Sequence, residues 1–354
     1  MGTKHTRYLY EFKLKDELKD DDDKFDLKET NYKATFVDNS RSIIKETNKR
    51  INYIGNIDNG KECVAKVYKN INRNITYTIS DLIDDLTNLF KAKNLSIIYN
   101  KKFRNLTDFI HINYVDFYIG YKNKIDSKEL KNILMNKNSK KLNIDNINLI
   151  ENYIDTKNFR LFVDEYCHVR YKDSKSIPWF MHWNWVETNG TYLICDLRGE
   201  ITFEDELELS SPSLQSKERS YGNSDNGVYS LITFLAEHKH TEHCKDLPWP
   251  RNEYIEKAKM LKNKYISSDK CDGCQETYDE IISSVFKSKS YSNNTFSKFN
   301  YLYVLIPIII FFVIGIVMLF LCFIKRRKKS NVKENLKNSI KEMNNMNEMK
   351  LLDN

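Results

Sequence analysis

The feature that most constrains this chain is an uncharged apolar run near its C-terminus, YLYVLIPIIIFFVIGIVMLFLCFI at residues 301–324. A helix of roughly 20 such residues spans the hydrocarbon core of a bilayer. A buried core helix of that length without a polar face is the less favoured interpretation. Pro307 and Gly315 are tolerated in membrane helices. The sequence therefore predicts a single-pass membrane protein.

The side of the membrane on which residues 1–300 lie stays open at this point. The basic block KRRKK at 325–329 directly follows the run and would remain cytoplasmic by the positive-inside rule, which puts the preceding residues on the far side. The N-terminus, however, has no apolar h-region of a signal peptide. A span this near the C-terminus could also insert after synthesis and leave the large domain in the cytosol.

The formal net charge of +7 is unevenly distributed. The stretch DELKDDDDK at 16–24 is acidic, whereas KRRKK at 325–329 is basic. A nucleic-acid-binding face needs clustered Lys and Arg on the folded part of a protein. The charge pattern therefore argues against a nucleic-acid partner.

The seven cysteines are odd in number and widely spaced. No disulfide framework stands out, which favours a reduced folded domain. The segment CDGC at 271–274 has no partner CxxC and is interpreted as a pair of free thiols in a linker.

Composition and pattern divide the chain into segments. Residues 1–24 are highly charged without a helical or strand period, which predicts a charged N-terminal arm. The polar stretch 123–154 is interpreted as an inserted excursion, and residues 183–201 as a β-hairpin with TNGT as its turn. The complete division is a charged arm at 1–24, a folded domain at 25–265, a linker at 266–300, a transmembrane helix at 301–324 and a basic tail at 325–354.

Three motifs in the domain carry candidate chemistry. Asp196 follows an apolar strand and precedes a glycine, where a carboxylate can accept a proton or hold a metal, although such an Asp is often only a turn residue. The loop YGNSDNG at 221–227 could present N–H groups to phosphate. In HKHTEHC at 238–244 three histidines precede a cysteine, which indicates either a metal site or a solvated helix end.

Taken in order, these segments resemble the catalytic domain of the alpha-kinases, a family of atypical protein kinases. That family shows an aromatic segment opening with His, a hairpin ending in Asp-Leu-Gln-Gly, a Gly-x-x-Asn-x-Gly loop and a helix ending in His-x-Cys-x-x-x-Cys. The same order here reads HWNWVETNGTYLICDLRGE, YGNSDNG and HKHTEHC over residues 182–248. Upstream, ECVAKVYK resembles the family's nucleotide-binding lysine strand and FRLFVDEYCHVRY its interlobe segment. The resemblance implies an α+β fold, a two-lobed kinase-like catalytic domain, beside the one transmembrane helix.

The resemblance also implies roles for individual residues. Lys66 would contact the phosphates of the nucleotide, and so would Arg41 in NSRSIIKE. Asp164 and Tyr166 would offer groups to adenine. Asp196 would be the catalytic residue, orienting the substrate hydroxyl and helping to hold Mg²⁺. The positions of the glycine-bearing loop that the resemblance assigns to the nucleotide are Gly222, Asp225 and Gly227.

The alpha-kinases carry a structural zinc ion. By resemblance its ligands here are His182, His238, His240 and Cys244, with His240 in the place of the middle Cys. Zinc accepts imidazole nitrogen and thiolate sulfur in one tetrahedron. His243 is the bystander in this register.

Three departures from the family pattern bear on catalysis. Arg198 replaces the Gln that helps with the metal, Ser211 stands at the expected second carboxylate, and Val169 replaces a Gly. Asp205 or Glu206 could substitute for that carboxylate. The resemblance implies a membrane-anchored serine/threonine protein kinase with ATP, Mg²⁺ and Zn²⁺ as cofactors and a protein as substrate. The alternatives are a weak or inactive pseudokinase acting as a binding module, and a surface or exported membrane protein.

Overall fold

The structure is a computed structural model that describes residues 2–286 except 15–24, 48–49, 72–74, 77, 107–108, 136–145, 171–175, 203–205, 241 and 266–270. The predicted membrane span and the basic tail lie outside the described residues. Within the described part, no helix is both long and apolar enough to cross a bilayer.

The N-terminal half is built on a seven-stranded sheet with the order β2-β1-β9-β10-β5-β4-β3. Neighbouring strands in this sheet are antiparallel. The elements of this half, in chain order, are β1 (Lys4–Leu14), β2 (Phe25–Val37), β3 (Ile43–Glu46), β4 (Arg50–Ile57), β5 (Glu62–Tyr68), β6 (Asn70–Ile71), β7 (Ile75–Thr76), α1 (Ile79–Phe103), β8 (Ile112–Tyr114), β9 (Phe117–Tyr121), α2 (Ser127–Met135) and β10 (Ile147–Asn152).

The sheet curls onto itself because β2 pairs with β4 as well as with β1. Phe36 lies opposite Gly55 in this additional pair. A Cβ atom at Gly55 would lie 2.5 Å from the carbonyl oxygen of Thr35, so the close approach requires a glycine. The curled sheet has a buried cluster made of strand side chains: Leu9, Ala34, Phe36, Tyr53, Ile57, Cys63, Ala65 and Ile150.

The prediction of a charged arm over residues 1–24 is wrong for its first part, because Lys4–Leu14 forms β1 between β2 and β9. The charge density of this segment hides an apolar set. Leu9, Tyr10 and Phe12 are buried, whereas the charged Lys4 and Lys13 are exposed. A strand can place its charged side chains outward while it buries the others, so composition alone misled the prediction.

The interpretation of residues 123–154 as an inserted excursion is also wrong. This segment contains α2 and then β10, which pairs with both β9 and β5 near the middle of the sheet. Ile147, Leu149 and Ile150 are buried. Their apolar pattern was obscured by the polar residues that precede them.

Helix α1 lies against the sheet and reaches the C-terminal half. Thr78 caps its start, because the carboxylate of Asp81 accepts the Thr78 N–H at 2.7 Å and its hydroxyl at 2.9 Å. Leu82, Leu86 and Leu89 on this helix pack against the sheet. Helix α1 therefore forms one wall of the region between the two halves.

The C-terminal half is mainly helical and carries two small sheets. Strand β8 joins it in a four-stranded sheet of order β11-β13-β14-β8, and β12 pairs with β15. Its elements, in chain order, are β11 (Arg160–Leu161), α3 (Ser176–Glu187), β12 (Tyr192–Cys195), β13 (Arg198–Ile201), β14 (Leu207–Ser210), β15 (Ser213–Ser216), α4 (Val228–Glu237), a short 3-10 helix (Glu242–Cys244), α5 (Asn252–Lys264) and α6 (Cys274–Phe286).

Two further expectations are corrected in this half. The first strand of the predicted hairpin at 183–201 is part of helix α3, where Trp179, Trp183 and Trp185 form the centre of the core. The helix ends where Asn189 and Gly190 take positive φ values of 49° and 70°. The predicted linker at 266–300 contains α6, whose buried Tyr278, Ile281 and Val285 follow a helical spacing. The folded domain therefore extends beyond residue 265.

Candidate functional site

Lys66 lies in β5 and is buried. Its ammonium group forms an ion pair with Glu151 on the neighbouring strand β10 and donates to the hydroxyl of Ser211. Burial lowers the pKa of Lys66 to about 8, although Glu151 opposes this shift by favouring the charged form. Lys66 is therefore a buried cation that connects the large sheet to the turn between β14 and β15.

Arg50, at the start of β4, is a second cation beside Lys66. Its guanidinium lies 2.7 Å from Asp85 Oδ2 on α1 and donates to the Ser211 hydroxyl at 3.4 Å. Tyr68 donates to the same Asp85 oxygen at 2.6 Å. Burial and the charge of Asp85 raise the pKa of Tyr68, so the phenol remains a donor. This network fixes Arg50 against α1.

Asp196 connects β12 to β13 with a left-handed backbone, φ 53°, a conformation that is costly for a non-glycine residue and is often found at functional sites. Its N–H donates to the Asp164 carbonyl oxygen at 3.1 Å. Its Oδ1 accepts Arg198 Nε at 2.9 Å and a second N–H of the same guanidinium. Burial raises the pKa of Asp196, and the charge of Arg198 opposes that shift. The predicted catalytic carboxylate is thus held by Arg198.

Contacts through the β14–β15 turn connect Lys66 to Asp196. Lys66 and Arg50 both donate to the Ser211 hydroxyl, and the preceding Ser210 lies opposite Arg198, the partner of Asp196. The charge of Arg50 lowers the pKa of both Lys66 and Asp196. Burial and the charge of Arg198 lower the pKa of Lys45 on β3, while Asp196 raises it. This site therefore holds several cations together with their acidic partners.

Arg41 is the second phosphate contact predicted from the sequence. It is exposed in the turn before β3, and its backbone N–H donates to Asn39 Oδ1 at 3.0 Å. Lys45, to which the sequence assigned no role, is the cation of this segment that the structure brings to Asp196.

Asp164 and Tyr166, the predicted adenine contacts, lie in a tight turn. The Asp164 carboxylate accepts the N–H groups of Tyr166 at 3.0 Å and His168 at 2.9 Å, and Arg170 Nε at 2.8 Å. Its carbonyl oxygen accepts the N–H of Asp196. The polar groups of Asp164 are thus used within the chain, where they hold Asp196 to the segment between the halves.

Two disulfides contradict the expectation of a reduced domain. Cys167 and Cys195, with Cα atoms 5.3 Å apart, join the Asp164 turn to the residue before Asp196. Cys271 and Cys274 are also joined, so the interpretation of 271–274 as free thiols in a linker is wrong. A separation of 28 residues between the first two cysteines leaves no local pattern that identifies them as partners.

The glycine-bearing loop is organised by Asp225. Its carboxylate accepts the N–H groups of Ser216 and Gly227, each at 2.9 Å, and the Ser216 hydroxyl at 2.5 Å. Gly222 has φ 84°, and a Cβ there would meet the Asp84 carboxylate oxygen at 2.5 Å. The loop therefore packs on α1, one residue from the Asp85 that pairs with Arg50. The buried Asp225 carboxylate therefore holds the loop in its conformation through these hydrogen bonds.

His182, His238 and Cys244 lie together, with one potential ligand atom from each within 4.8 Å of the others. His182 Nε2 bonds to the Pro248 carbonyl oxygen at 2.9 Å, whereas His182 Nδ1 and His238 Nε2 are buried without a hydrogen-bond partner. Burial lowers the pKa of His182 to about 4 and that of His238 to about 2. Both imidazoles are therefore neutral, the form that binds metals.

His240, the fourth predicted ligand, is outside this group of three. Its ring centroid lies 5.0 Å from that of His182 and 5.3 Å from that of His238, and the residue is exposed. His243, the predicted bystander, stacks on Trp179 at 4.8 Å.

Residues 40–244 match the sequence profile of the Alpha-kinase family, and this range is more than half of the chain. The chain belongs to the alpha-kinase family. The predicted α+β fold of the alpha-kinase type is thereby confirmed.

A solved structure with a TM-score above 0.5 supports the same fold. An alpha kinase from Entamoeba histolytica is 15% identical, with 71% of this chain and 93% of that chain covered and a TM-score of 0.56. The alpha-kinase domain of myosin-II heavy chain kinase A in complex with AMP-PNP is 14% identical, with 70% and 98% covered and a TM-score of 0.49. A comparison with curated proteins gave no match.

The structure shows the contacts of the residues at which this alpha-kinase departs from the family pattern. Arg198 pairs with Asp196, and Ser211 is contacted by Lys66 and Arg50. Of the two carboxylates considered as substitutes, Glu206 accepts a hydrogen bond from the Asn113 side chain at 3.1 Å, and Asp205 lies outside the described residues. Val169 forms an isolated β-bridge with Val163.

Sequence reasoning missed Glu151, Arg50 and Asp85. Glu151 had a detectable signal, because a lone carboxylate inside the apolar run INLIE indicates a buried partner. Arg50 and Asp85 had none, since each is one of many charged residues in a strand or helix with exposed positions.

Proposed function

We propose that this alpha-kinase transfers the γ-phosphate of ATP to serine or threonine hydroxyls of protein substrates. The observation that carries the proposal is that Lys66 and Arg50 meet at the Ser211 hydroxyl, next to the strand residue that lies opposite Arg198, the partner of Asp196. Phosphoryl transfer depends mostly on positioning and on neutralising phosphate charge. This site offers cations for the phosphates and a carboxylate for the attacking hydroxyl.

The cations have different parts in this proposal. Lys66 carries a compact ammonium charge suited to a phosphate, and Glu151 orients it from β10. Arg50 is bound to Asp85, so it holds the Ser211 turn and contributes charge at longer range. Lys45 is an exposed cation on β3 that would contact the phosphates from that strand.

Asp196 would accept or orient the proton of the substrate hydroxyl. It would also hold Mg²⁺, which neutralises phosphate charge when bound. A carboxylate fits that cation, but Arg198 occupies the same oxygen. Asp196 has to leave Arg198 before it can act, so the ion pair sets the fraction of competent enzyme.

Phosphorylation by the full chain, purified in detergent, tests the proposal. Incubation with radiolabelled ATP, Mg²⁺ and a generic basic protein should yield phosphoserine or phosphothreonine. Lys66→Met and Asp196→Asn should each lower the rate by roughly 10²-fold or more. A wild-type chain that binds no Mg²⁺·ATP at all would refute the kinase assignment.

A non-catalytic binding module is the second candidate, and the Asp196–Arg198 ion pair favours it. Ser211 supports it too, because a hydroxyl stands where the resemblance expects a second Mg²⁺ carboxylate. This candidate predicts nucleotide binding without phosphate transfer. If ATP binds equally well in the presence of Mg²⁺ and of EDTA, and no phosphorylated protein forms, the binding module is favoured over the kinase.

We also propose a structural Zn²⁺ held by His182 Nδ1, His238 Nε2 and Cys244 Sγ, with His240 as the fourth ligand. Support comes from the two buried ring nitrogens without partners and from their neutral state. Zinc would fix the end of α4 to α3 and would take no part in phosphoryl transfer.

Membrane anchoring by residues 301–324 is proposed on the sequence alone. Protease treatment of intact membrane vesicles would locate the kinase domain. Digestion from the cytosolic side favours a kinase with access to ATP. Complete protection there would favour the alternative of a surface or exported membrane protein.

A further inference from the structure

The disulfide between Cys271 and Cys274 lies at the start of helix α6. The two cysteines are three positions apart in the segment CDGC, and their Cα atoms are 5.5 Å apart. The Thr277 N–H donates to the carbonyl oxygen of Gly273 at 3.1 Å, which is the first hydrogen bond of a helix whose cap is Gly273. Cys274 is therefore the first residue of α6, and the disulfide closes a small ring against the first turn of this helix.

The cysteines of the two disulfides differ in exposure. Cys274 is 0% exposed, and Cys167 and Cys195 of the other disulfide are 1% and 0% exposed. Cys271, in contrast, is partly exposed. Thiol–disulfide exchange begins when a thiolate reaches one of the two sulfur atoms. Among the disulfide-bonded cysteines in the described part of the chain, Cys271 is thus the one that a dissolved thiol can reach.

The sulfur that would leave is that of Cys274. The first N–H groups of a helix have no partner within the helix and lie at the positive end of its dipole. A cysteine at this position is therefore more easily released as a thiolate. Burial acts in the opposite direction, because loss of solvent disfavours the charged sulfur. Access to Cys271, rather than the quality of the leaving group, is what separates this disulfide from the other one.

The rest of α6 is held without the disulfide. The hydroxyl of Tyr278 accepts a hydrogen bond from Trp185 Nε1 at 2.9 Å and donates to the carbonyl oxygen of Gly190 at 2.6 Å. Ile281 and Val285 are buried in the same core. Opening of the disulfide would therefore release only the ring and the first turn of α6.

We propose that the Cys271–Cys274 disulfide is an exchange site for low-molecular-mass thiols such as glutathione. The thiolate attacks Cys271 Sγ and forms a mixed disulfide with it, while the bond to Cys274 breaks and leaves its electron pair on Cys274 Sγ, which takes up a proton. A second thiolate attacks the sulfur of the bound thiol, and Cys271 Sγ leaves and is protonated. The two thiols become one disulfide, and the chain gains the two electrons and two protons of a dithiol. The site is separate from Asp196 and Lys66, so the proposal does not depend on the proposed kinase function.

Glutathione buffers of increasing reduced fraction test the proposal on the full chain in detergent, below its thermal midpoint. Acid quenching, alkylation and peptide mapping should show that Cys271 and Cys274 become reduced and are linked again when oxidised glutathione is added. Cys167–Cys195 is the matched control within the same chain. Thiols reach it only when the chain opens, in roughly 10⁻³ or less of the molecules, so its exchange should be at least about 10³-fold slower.

Two variants identify the sulfur that is attacked. Cys274→Ser leaves Cys271 without its partner, and oxidised glutathione should then form a mixed disulfide at Cys271. Cys271→Ser leaves the buried Cys274, which should form this adduct at least about 10³-fold more slowly. The thermal midpoint of each variant shows whether it folds. If either variant does not fold, the wild-type mapping still decides.

Hydrogen exchange of the wild type follows the local consequence. Reduction should remove protection from residues 272–277 and leave the helix from Tyr278 onward protected. The proposal is overturned if both disulfides exchange at the same rate, if Cys271 and Cys274 stay linked until the chain is denatured, or if the adduct forms at Cys274. A chain without kinase activity would refute the kinase function and leave each of these outcomes measurable.

Discussion

Arg198 binds the carboxylate of Asp196 from two residues along the chain, with Nε 2.9 Å from Oδ1. The pair is local, so it forms without any movement of the two halves. A charge-assisted hydrogen bond of this kind is among the stronger polar contacts in proteins. Burial raises the pKa of Asp196 and the charge of Arg198 opposes that rise, but Arg198 also keeps the carboxylate from other cations.

Arg198→Gln should therefore activate the enzyme. The variant restores the residue type that the family resemblance places here and frees Asp196 Oδ1. We expect the apparent affinity for Mg²⁺ at fixed ATP to rise about tenfold, the value of a hydrogen bond to a charged group. Initial phosphorylation rates over a Mg²⁺ titration measure this apparent affinity. Arg170→Gln is a control, because Arg170 pairs with Asp164 instead. A fall in rate for Arg198→Gln would show that the arginine assists catalysis.

Variants of Lys45 and Arg41 test which of these two residues contacts the phosphates of ATP. The structure favours Lys45, whereas the sequence predicted Arg41. Lys45→Ala removes a cation that faces Asp196, so the KM for ATP should rise by roughly tenfold, the size of one lost charged contact. Arg41→Ala removes an exposed side chain and should change KM less than twofold, as expected for exposed charges. Steady-state kinetics of both variants checks the ranking. The reverse order would mean that the β3 turn rearranges when ATP binds.

Lys66 makes nucleotide binding depend on pH. Its pKa in the folded chain is about 8, so the free protein loses this charge as pH rises through 8. ATP favours the charged form and would take up a proton on binding above that pH. We expect affinity to fall roughly tenfold between pH 8 and 9.5, since one pKa unit corresponds to about 1.4 kcal/mol. Calorimetry in two buffers of different ionisation enthalpy would detect the proton.

The same shift has a defined effect on stability. The folded pKa of about 8 is below the ordinary lysine value of 10.5, so between these pH values the folded chain binds fewer protons than the unfolded one. Lys66 therefore lowers stability at neutral pH, and this cost is relieved as pH rises from about 8 to 10.5. Lys66→Met should remove that slope from the stability–pH curve. If the ATP affinity of the wild type does not change between pH 8 and 9.5, the pKa of about 8 for Lys66 is contradicted.

The candidate residues that the sequence identified lie in contiguous motifs. Asp196, Lys66, His182 and the segment 238–244 each belong to a short stretch whose order along the chain resembles a known pattern. Their partners could not be predicted in this way. Glu151 reaches Lys66 only because β10 pairs with β5, and Asp85 reaches Arg50 only because α1 packs against the sheet. Such pairings depend on the tertiary fold, which no local spacing encodes.

Two of the mistaken segments have a common physical cause. β1 and α6 are rich in polar residues, yet each buries a few large side chains against the core. Composition averages over both faces of an element, whereas folding depends on one face. In a chain with 30% charged residues, the buried face is easily overlooked.

The Cys167–Cys195 disulfide should stabilise the segment that carries Asp196. Closing a loop of 28 residues reduces the entropy of the unfolded chain, and loss of the disulfide should cost about 3.6 kcal/mol in the chain-entropy account. Cys195→Ala should lower the thermal midpoint, and reductant should lower that of the wild type while changing the variant less.

Cys63→Ala is the control for this disulfide, because Cys63 is buried but free. That variant should respond to reductant as the wild type does. Non-reducing peptide mapping identifies the linked pair directly. A wild-type protein in which both thiols alkylate quantitatively without reductant would contradict the disulfide.

The His182–His238–Cys244 cluster should contain about one zinc per chain. His182→Ala or Cys244→Ala removes a ligand from a group whose atoms lie within 4.8 Å, so the metal content should fall and the thermal midpoint with it. His243→Ala is the matched control, since His243 follows the same helix end but stacks on Trp179. It should retain the metal.

His240→Ala decides between three and four protein ligands. If His240 completes the site, zinc affinity should fall by roughly 10-fold to 100-fold, the range seen when the surroundings of a metal are altered. If the site has only three protein ligands, His240→Ala should bind zinc like the wild type. Chelator competition with elemental analysis measures both. A purified wild-type chain that is stably folded and free of zinc would show that the buried ring nitrogens of His182 and His238 remain unpaired in the native protein.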